Sequence, residues 1–292
     1  MKKLKSLRID FSRICLFLGL LVIGYTNVYG QRKVFDLSKK LEEISGLECY
    51  NDTVFFALND GGNKNTIFQL DRFFKIQKEL ELSSVKNHDW EDLTIDKDYL
   101  YVADIGNNHN KRKKMLLARI RISDILQNNT SAIETMHIYY KNQNAFPPKE
   151  EEMNFDAETL ISDGEKLFIF SKNRTKPYNG TTLIYEFTFE DNITKGLQPT
   201  YEFNSGNGTW LLDSFTSGTY QNGYFYLLTY NKVLKLRMQD KTKNFELISS
   251  KKFNTIKQRE AICMDKKSNV FIANEYHRWF GDQKVEQFQW KK

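Results

Sequence analysis

The most constraining feature of this sequence is a faint repeat of strand–turn–strand units. Each unit has a polar or small residue, a short apolar strand, a turn, and an aromatic-rich strand that ends near a polar loop. The units open at Ile44, Trp90, Ala157, Phe215 and Arg259. The polar or small residues, here called the anchors, are Ser45, Glu91, Glu158, Thr216 and Glu260. Further strand-like runs separate the units, so each unit predicts four antiparallel strands.

Helical periodicity is nearly absent after residue 30, which indicates an all-β chain. A four-stranded unit of about fifty residues is typical of one blade of a β-propeller. The last unit supplies three strands, and the run KVFDLS at 33–38 can supply the fourth and close the ring, which removes an open sheet edge. We therefore expect one five-bladed propeller over 31–292. Six blades are the alternative if the long second unit hides an extra sheet, and a β-sandwich would explain the strands but not the anchors.

Residues 1–30 are typical of a secretory signal peptide. A lysine- and arginine-containing start precedes the apolar run ICLFLGLLVIGY at 14–25, which is shorter than the about 20 residues of a membrane span. Val28 and Gly30 suit a cleavage site before Gln31. We expect an exported, periplasmic or extracellular protein with no stable membrane span after cleavage, and an uncleaved N-terminal anchor is the alternative.

Charge and cysteine content limit the partners. The chain has 43 basic and 37 acidic residues, and five basic and one acidic lie in the leader, so the remainder carries +2. This charge does not indicate a nucleic-acid-binding protein. Cys49 and Cys263 remain after cleavage, but they fall one place apart in equivalent strands, and neighbouring places face opposite sides. We therefore do not expect a disulfide, and we expect a monomer.

In a propeller, the loop before the first strand and the loop after the second strand of each blade lie on one face, near the axis. We call this the top face. Side chains expected to bind a ligand there are Trp90, Asp92, Asn107, Asn173, Asn231, Asn274 and Glu275. Other residues expected there include Asn59, Asp60, Trp210, Trp279 and Tyr178. Such a combination of carboxylates, amides and aromatic walls is typical of a binding or reaction site.

Three anchor glutamates, Glu91, Glu158 and Glu260, should point toward one axis. Like charges brought together are unfavourable unless they are neutralised, and calcium prefers such oxygen ligands. The alternative is that these glutamates cap strand ends or pair with Arg174 or Arg259. Histidines in the same loops offer a general base, either His88 or His109, but they lack zinc-ligand spacing such as HExxH.

The motifs ISGL at 44–47, IFQLD at 67–71, WEDLTID at 90–96 and YVADIGNN at 101–108 resemble exported bacterial β-propellers. These include the SdiA-regulated propeller family and related phytase-like and lactonase-like domains. The resemblance implies calcium near the channel mouth, with Glu91, Asp104, Glu158 and Glu260 as its ligands. The sequence departs from the family pattern at Ser45 and Thr216, which are not acids. It also has no dense cluster of basic residues on the predicted top face that would bind phytate, which argues against phytase activity.

Two functions follow from these expectations. The first is an exported binding module whose top face, with a calcium site at the channel mouth, recognises a small molecule, glycan or peptide. The second is a calcium-dependent hydrolase of esters, lactones or phosphoesters, in which the cation polarises the scissile group and a histidine or carboxylate acts as base.

Overall fold

A computed structural model describes residues 32–239, 244–279 and 281–290. The predicted leader, 1–30, lies outside these residues. The described chain forms five antiparallel blades in a ring, so the predicted five-bladed β-propeller is confirmed. Among the described residues, no helix has the length and apolar character needed to cross a membrane.

Blades 1 to 3 follow one another along the chain. Their strands are β2 (Ile44–Cys49), β3 (Val54–Asn59), β4 (Thr66–Asp71) and β5 (Ile76–Glu81) in blade 1, β6 (Trp90–Ile95), β7 (Tyr99–Asp104), β8 (Met115–Arg121) and β9 (Glu134–Tyr140) in blade 2, and β10 (Asp156–Ser162), β11 (Leu167–Lys172), β12 (Thr181–Phe187) and β14 (Tyr201–Asn204) in blade 3. A short strand, β13 (Thr194–Leu197), leaves blade 3 and pairs in parallel with β9 on the outer edge of blade 2.

The last two blades complete the ring. Their strands are β15 (Ser217–Gln221), β16 (Tyr224–Leu228), β17 (Lys232–Gln239) and β18 (Asn244–Lys252) in blade 4, and β19 (Arg259–Met264), β20 (Asn269–Asn274), β21 (Lys284–Gln289) and β1 (Lys33–Asp36) in blade 5. β1 pairs antiparallel with β21, with Val34 opposite Glu286, so the predicted closure by an N-terminal strand is confirmed. The helices of the described residues are short: the α-helices Ile122–Leu126 and Trp210–Asp213, and the 3-10 turns Lys39–Leu41 and Glu150–Glu152.

Four of the five anchors occupy β-bulges in the innermost strands. The register shifts between Ile44 and Gly46, Trp90 and Asp92, Ala157 and Thr159, and Arg259 and Ala261, so the extra residues are Ser45, Glu91, Glu158 and Glu260. A bulge leaves one residue outside the regular pairing and re-aims its side chain. The recurrence seen in the sequence is therefore a recurrent bulge at the top of each of these blades.

Cys49 and Cys263 form a disulfide between blades 1 and 5, with their Cα atoms 5.8 Å apart, so the expectation of free cysteines was wrong. Adjacent blades pack face to face, and the two packed faces have opposite orientation in their own sheets. Ala261 and Cys263 accordingly pack with Leu47 and Cys49 in one apolar layer, although the pairs are one place apart in equivalent strands. Opposite parity is what brings the two sulfurs together.

Candidate metal centre at the channel mouth

Three carboxylates meet at the top of the channel between blades 1 and 2. Asp60 directly follows β3, Asp89 directly precedes β6, and Glu91 is the bulged residue of β6. One oxygen from each of the three lies within 4.8 Å of the others. Glu91 is only 5% exposed, and no hydrogen-bond donor among the described residues contacts its carboxylate. Three acids at this spacing could hold one hard cation between them.

Two glycines make room for these acids. A Cβ atom on Gly106 would lie 2.1 Å from Glu91 Oε1 and 2.4 Å from Asp89 Oδ2. A Cβ atom on Gly61 would lie 2.5 Å from Asp89 Oδ1. The loops after β3 and β7 therefore approach the carboxylates with bare backbone, and a side chain at either position would displace the acids.

Burial and mutual repulsion disfavour negative charge at these acids. Burial raises the pKa of Asp60 to about 7, and nearby Glu158 and Asp89 add to the effect. The pKa of Glu91 lies well above its ordinary value, first because of burial and then because of Glu158, Asp60 and other carboxylates. Burial also raises the pKa of Asp89. A bound cation would relieve the repulsion, because it neutralises several of these charges at once.

The next pair of predicted ligands already has protein partners. Glu158 forms ion pairs with Lys172 and with Arg174, the latter at 3.2 Å. Glu260 accepts a hydrogen bond from the Tyr230 hydroxyl at 2.8 Å. Burial raises the pKa of Glu260 to about 8. The ion-pairing alternative considered for the anchors thus applies to Glu158, whereas Glu91 has no such partner among the described residues.

Asp104, another predicted metal ligand, is held by two basic side chains. Arg112 lies 2.8 Å from Asp104 Oδ1, and His88 Nδ1 lies 3.2 Å from Oδ2. Asp104 also accepts a hydrogen bond from the backbone N–H of Asp89 at 3.1 Å. Its geometry positions the His88 ring and the Asp89 backbone beside the three-acid cluster. His109, the other candidate base, is exposed on the neighbouring loop.

The predicted amide ligands serve the loops themselves. Asn107 donates to the carbonyl of Phe155 at 2.9 Å and accepts from the backbone of Arg112 at 2.8 Å. Asn173 donates to the carbonyl of Thr181 at 2.7 Å, and Asn274 donates to two carbonyls at 3.0 Å. These contacts fix the top loops in place. The Asn231 side chain contacts the Thr229 hydroxyl at 3.1 Å.

Trp90 and Asp92 do not lie on the top surface. Trp90 is fully buried in the apolar layer between blades 1 and 2, so it cannot contact a ligand as expected. Its side chain packs there because the bulge that turns Glu91 toward the channel mouth leaves Trp90 facing the adjacent sheet. Asp92 lies deeper in the channel and accepts the backbone N–H of Leu160 at 3.0 Å, which ties blade 2 to blade 3. Glu275 stays near the mouth, where Gln258 donates to it and burial raises its pKa to about 10.

Sequence reasoning placed Asp60 on the top face but assigned neither Asp60 nor Asp89 to a metal site with Glu91. The signal for Asp89 was present, because positions two apart in an extended segment face the same side and Asp89 is two places before Glu91. Asp156 and Lys172 were also missed. Asp156 is fully buried and accepts from the Arg174 side chain at 2.8 Å, and Lys172 is 2% exposed.

Exposed aromatic side chains lie in the segment between blades 3 and 4 and in the loop between β20 and β21 of blade 5. Trp210 is 45% exposed and lies over the Arg174 guanidinium, whose carbon is 5.3 Å from the ring centre. Trp279 is 74% exposed and Tyr276 is 49% exposed, in the loop that follows Glu275. Large exposed aromatic rings are typical of ligand-recognition surfaces.

No family model and no curated protein matches the chain. Solved structures do. The glutaminyl cyclase of Myxococcus xanthus superposes with a TM-score of 0.50 at 13% identity, over 88% of this chain and 94% of that chain. The apo form of the soluble aldose sugar dehydrogenase of Escherichia coli gives a TM-score of 0.50 at 10% identity, over 88% and 99%.

A gluconolactonase of Xanthomonas campestris is also similar, with a TM-score of 0.46 at 9% identity, over 89% of this chain and 90% of that chain. At such low identity the likeness to the first two structures bears on architecture and not on activity. The narrower resemblance to SdiA-regulated, phytase-like or lactonase-like propellers stays a prediction. What the comparisons share with the described strands is the fold, and the chain is a five-bladed member of the broad β-propeller class.

Proposed function

We propose that this protein is an exported, cation-dependent binding propeller. In this proposal Asp60, Asp89 and Glu91 hold a divalent cation, most simply calcium, at the channel mouth. The observation that carries the proposal is the buried Glu91 carboxylate, which has no donor among the described residues and lies within 4.8 Å of oxygens from the other two acids. Oxygen-only ligands from carboxylates suit calcium better than zinc or copper.

The charge balance at the mouth supports the same proposal. Carboxylates outnumber the basic groups that contact them. The acids are Asp60, Asp89, Glu91, Asp104, Asp156, Glu158, Glu260 and Glu275. The basic side chains paired with them are Arg112, Lys172 and Arg174, with His88 at the edge. This excess of negative charge attracts a cation. Calcium takes roughly six to eight oxygen ligands, so three carboxylates would leave coordination positions open for a ligand.

The ligand proposed for this centre is a glycan or other polyol. Its hydroxyl groups would complete the coordination of the cation, and the exposed rings of Trp210 and Trp279 would contact its apolar faces. Both rings keep much of their surface free. A cation combined with aromatic surface recognises uncharged hydroxyl-rich molecules without requiring a basic cluster.

The first experiment measures cation binding. Calorimetric titration of the purified protein with calcium, beside elemental analysis and thermal melts with and without chelator, should give one bound ion and a melting temperature that falls on chelation. Glu91→Gln should weaken calcium binding by about tenfold or more, because affinity follows the number of charged ligands. Glu202→Gln, on an exposed outer strand, is the matched control and should bind as wild type.

Glycan-array binding with and without calcium then tests the ligand. Binding that needs calcium and is lost in both Glu91→Gln and Trp279→Ala supports the proposal. Absence of bound metal, together with equal melting in chelator and calcium, would refute the cation site. Calcium binding without any carbohydrate or polyol binding would refute the ligand class alone.

One observation favours the second candidate, a cation-dependent hydrolase of esters, lactones or phosphoesters. His88 Nδ1 is held by Asp104 at 3.2 Å beside the acid cluster, which leaves Nε2 available as a general base. Turnover of a panel of such substrates should depend on calcium and fall about a hundredfold in His88→Ala. His109→Ala, in the neighbouring loop, is the control, and no turnover by wild type with metal bound would exclude this candidate.

A further inference from the structure

The opposite end of the channel holds a cavity of 570 Å³, and none of the top-face residues lines it. The innermost strand of every blade contributes a side chain near its carboxyl end: Glu48, Ile95, Ser162, Thr219 and Met264. The cavity is therefore axial and is shaped by the whole ring rather than by one surface loop. Its size is within the range of pockets that enclose small molecules, about 300–1,000 Å³.

Glu48 is the chemically distinctive group in this axial cavity. Its carboxylate accepts hydrogen bonds from the Thr94 hydroxyl at 3.2 Å and from the backbone N–H of Cys49 at 3.1 Å. Within the part of the chain that the structure describes, no lysine or arginine forms an ion pair with Glu48. Burial raises its pKa to about 8, because the buried carboxylate loses hydration.

The other charged groups around the cavity are accounted for by local contacts. Asp52 pairs with Lys267 at 2.5 Å. Asp265 accepts hydrogen bonds from the backbone of its own turn, including Asn269 at 2.8 Å. Lys266 lies exposed at the rim and forms no ion pair with Glu48. Glu48 is thus the carboxylate of this cavity with room for an external cation.

Aromatic rings supply the second element of a cation site. Tyr50 and Tyr220 both line the cavity, one from blade 1 and the other from blade 4. Blade 5 separates these two blades in the ring, so the rings approach the cavity from different sides. Tyrosine faces attract organic cations, and this attraction is stronger where water is partly excluded. The hydroxyl groups of Ser162 and Thr219 offer hydrogen-bond acceptors beside them.

We infer that this axial cavity binds a small organic ammonium ligand, with its cationic nitrogen at the Glu48 carboxylate and its body between Tyr50 and Tyr220. The inference is independent of the proposed cation centre, since Glu48 and the three-acid cluster lie at opposite ends of the channel. It assigns a ligand to the face that carries none of the anchors.

The test titrates the purified protein, in excess calcium, with methylammonium, benzylammonium and choline, and with benzyl alcohol as an uncharged counterpart. At least one ammonium compound should bind and benzyl alcohol should not. Glu48→Gln should weaken that binding about tenfold or more, and Tyr220→Leu about threefold or more. Glu202→Gln, an exposed acid on the outer strand of blade 3, is the matched control and should leave the affinity unchanged.

The top-face variant Glu91→Gln should also leave ammonium binding unchanged, which separates this inference from the cation centre. Circular dichroism of each variant establishes that it is folded. Failure of every ammonium probe to bind folded wild type would overturn the inference. So would equal binding of benzyl alcohol and benzylammonium, binding unaffected by Glu48→Gln, or binding of inorganic cations alone.

Discussion

At the scale of single residues, the acids at the mouth connect cation binding to pH. Burial raises the pKa of Asp60 to about 7 and that of Glu260 to about 8, so both bind protons more tightly than exposed carboxyls do. Protons and the cation compete for the charged form. Calcium affinity should therefore increase as pH rises through about 7, and calcium binding near neutral pH should release protons. Calorimetry in buffers of different ionisation enthalpy measures both effects.

The raised pKa values of these acids also determine how the stability of the calcium-free protein depends on pH. The folded state binds more protons than the unfolded chain between the ordinary carboxyl pKa and the raised values. Stability of the calcium-free protein should therefore fall as pH rises toward about 8, and calcium should restore it most at the high end. A calcium affinity independent of pH would contradict this assignment of the acids.

Residue identity was predictable where the repeat marked it, and less so elsewhere. Glu91 was found because it shares an anchor position with Glu158 and Glu260. Its partner Asp89 was not assigned as a metal ligand, because it precedes the strand and has no counterpart in the repeat. The partners of the other two anchors come from distant positions, such as Lys172 for Glu158 and Tyr230 for Glu260, and only the fold brings them together.

At the scale of secondary-structure elements, the loop between β7 and β8 tests how the mouth is built. Gly106→Ala would place a Cβ atom 2.1 Å from Glu91 Oε1, so the loop or the carboxylate must move. We expect calcium affinity to fall about tenfold or more while the fold is retained, because the site is at the surface end of the blade. Calorimetry and circular dichroism measure the two properties.

Gly196→Ala is the matched control, since an added Cβ there meets the ends of the Lys141 and Tyr139 side chains on the outer edge of blade 2. It should not change calcium binding. Wild-type affinity in Gly106→Ala would show that the approach of this loop does not shape the site.

The strands themselves were predictable from the sequence, whereas the face to which some of their side chains point was not. The number of blades, the four strands of each blade and the closing strand followed from short apolar runs and turn residues, but the extra edge strand β13 was not predicted. The bulges were not predictable in this way. One extra residue reverses the side of the sheet to which the preceding side chains point, and Trp90 therefore lies in the core instead of on the surface. The offset of one place between Cys49 and Cys263 in equivalent strands was identified correctly. Because blades 1 and 5 pack face to face, this offset brings the two side chains together instead of separating them.

At the scale of the whole molecule, two features close the same seam of the ring. β1 completes blade 5, and the disulfide joins blade 5 to blade 1 across a sequence separation of 214. A ring whose first and last blades are joined cannot open at this seam without breaking covalent or strand contacts. Export to an oxidising compartment, which stays a prediction, would allow the disulfide to persist.

The disulfide gives the prediction that belongs to this scale. Replacing both cysteines with serine should lower the free energy of unfolding by about 2–5 kcal/mol, because the cross-link restricts the unfolded chain over a long loop. The melting temperature of wild type should fall in reductant to about that of the double variant, whereas the melting temperature of the double variant should not change in reductant. Calcium binding should persist in the folded variant, since the seam lies between blades 5 and 1 and the three acids come from blades 1 and 2. Equal stability with and without reductant, or two free thiols in the native protein, would show that β1 pairing and blade packing hold the ring closed by themselves.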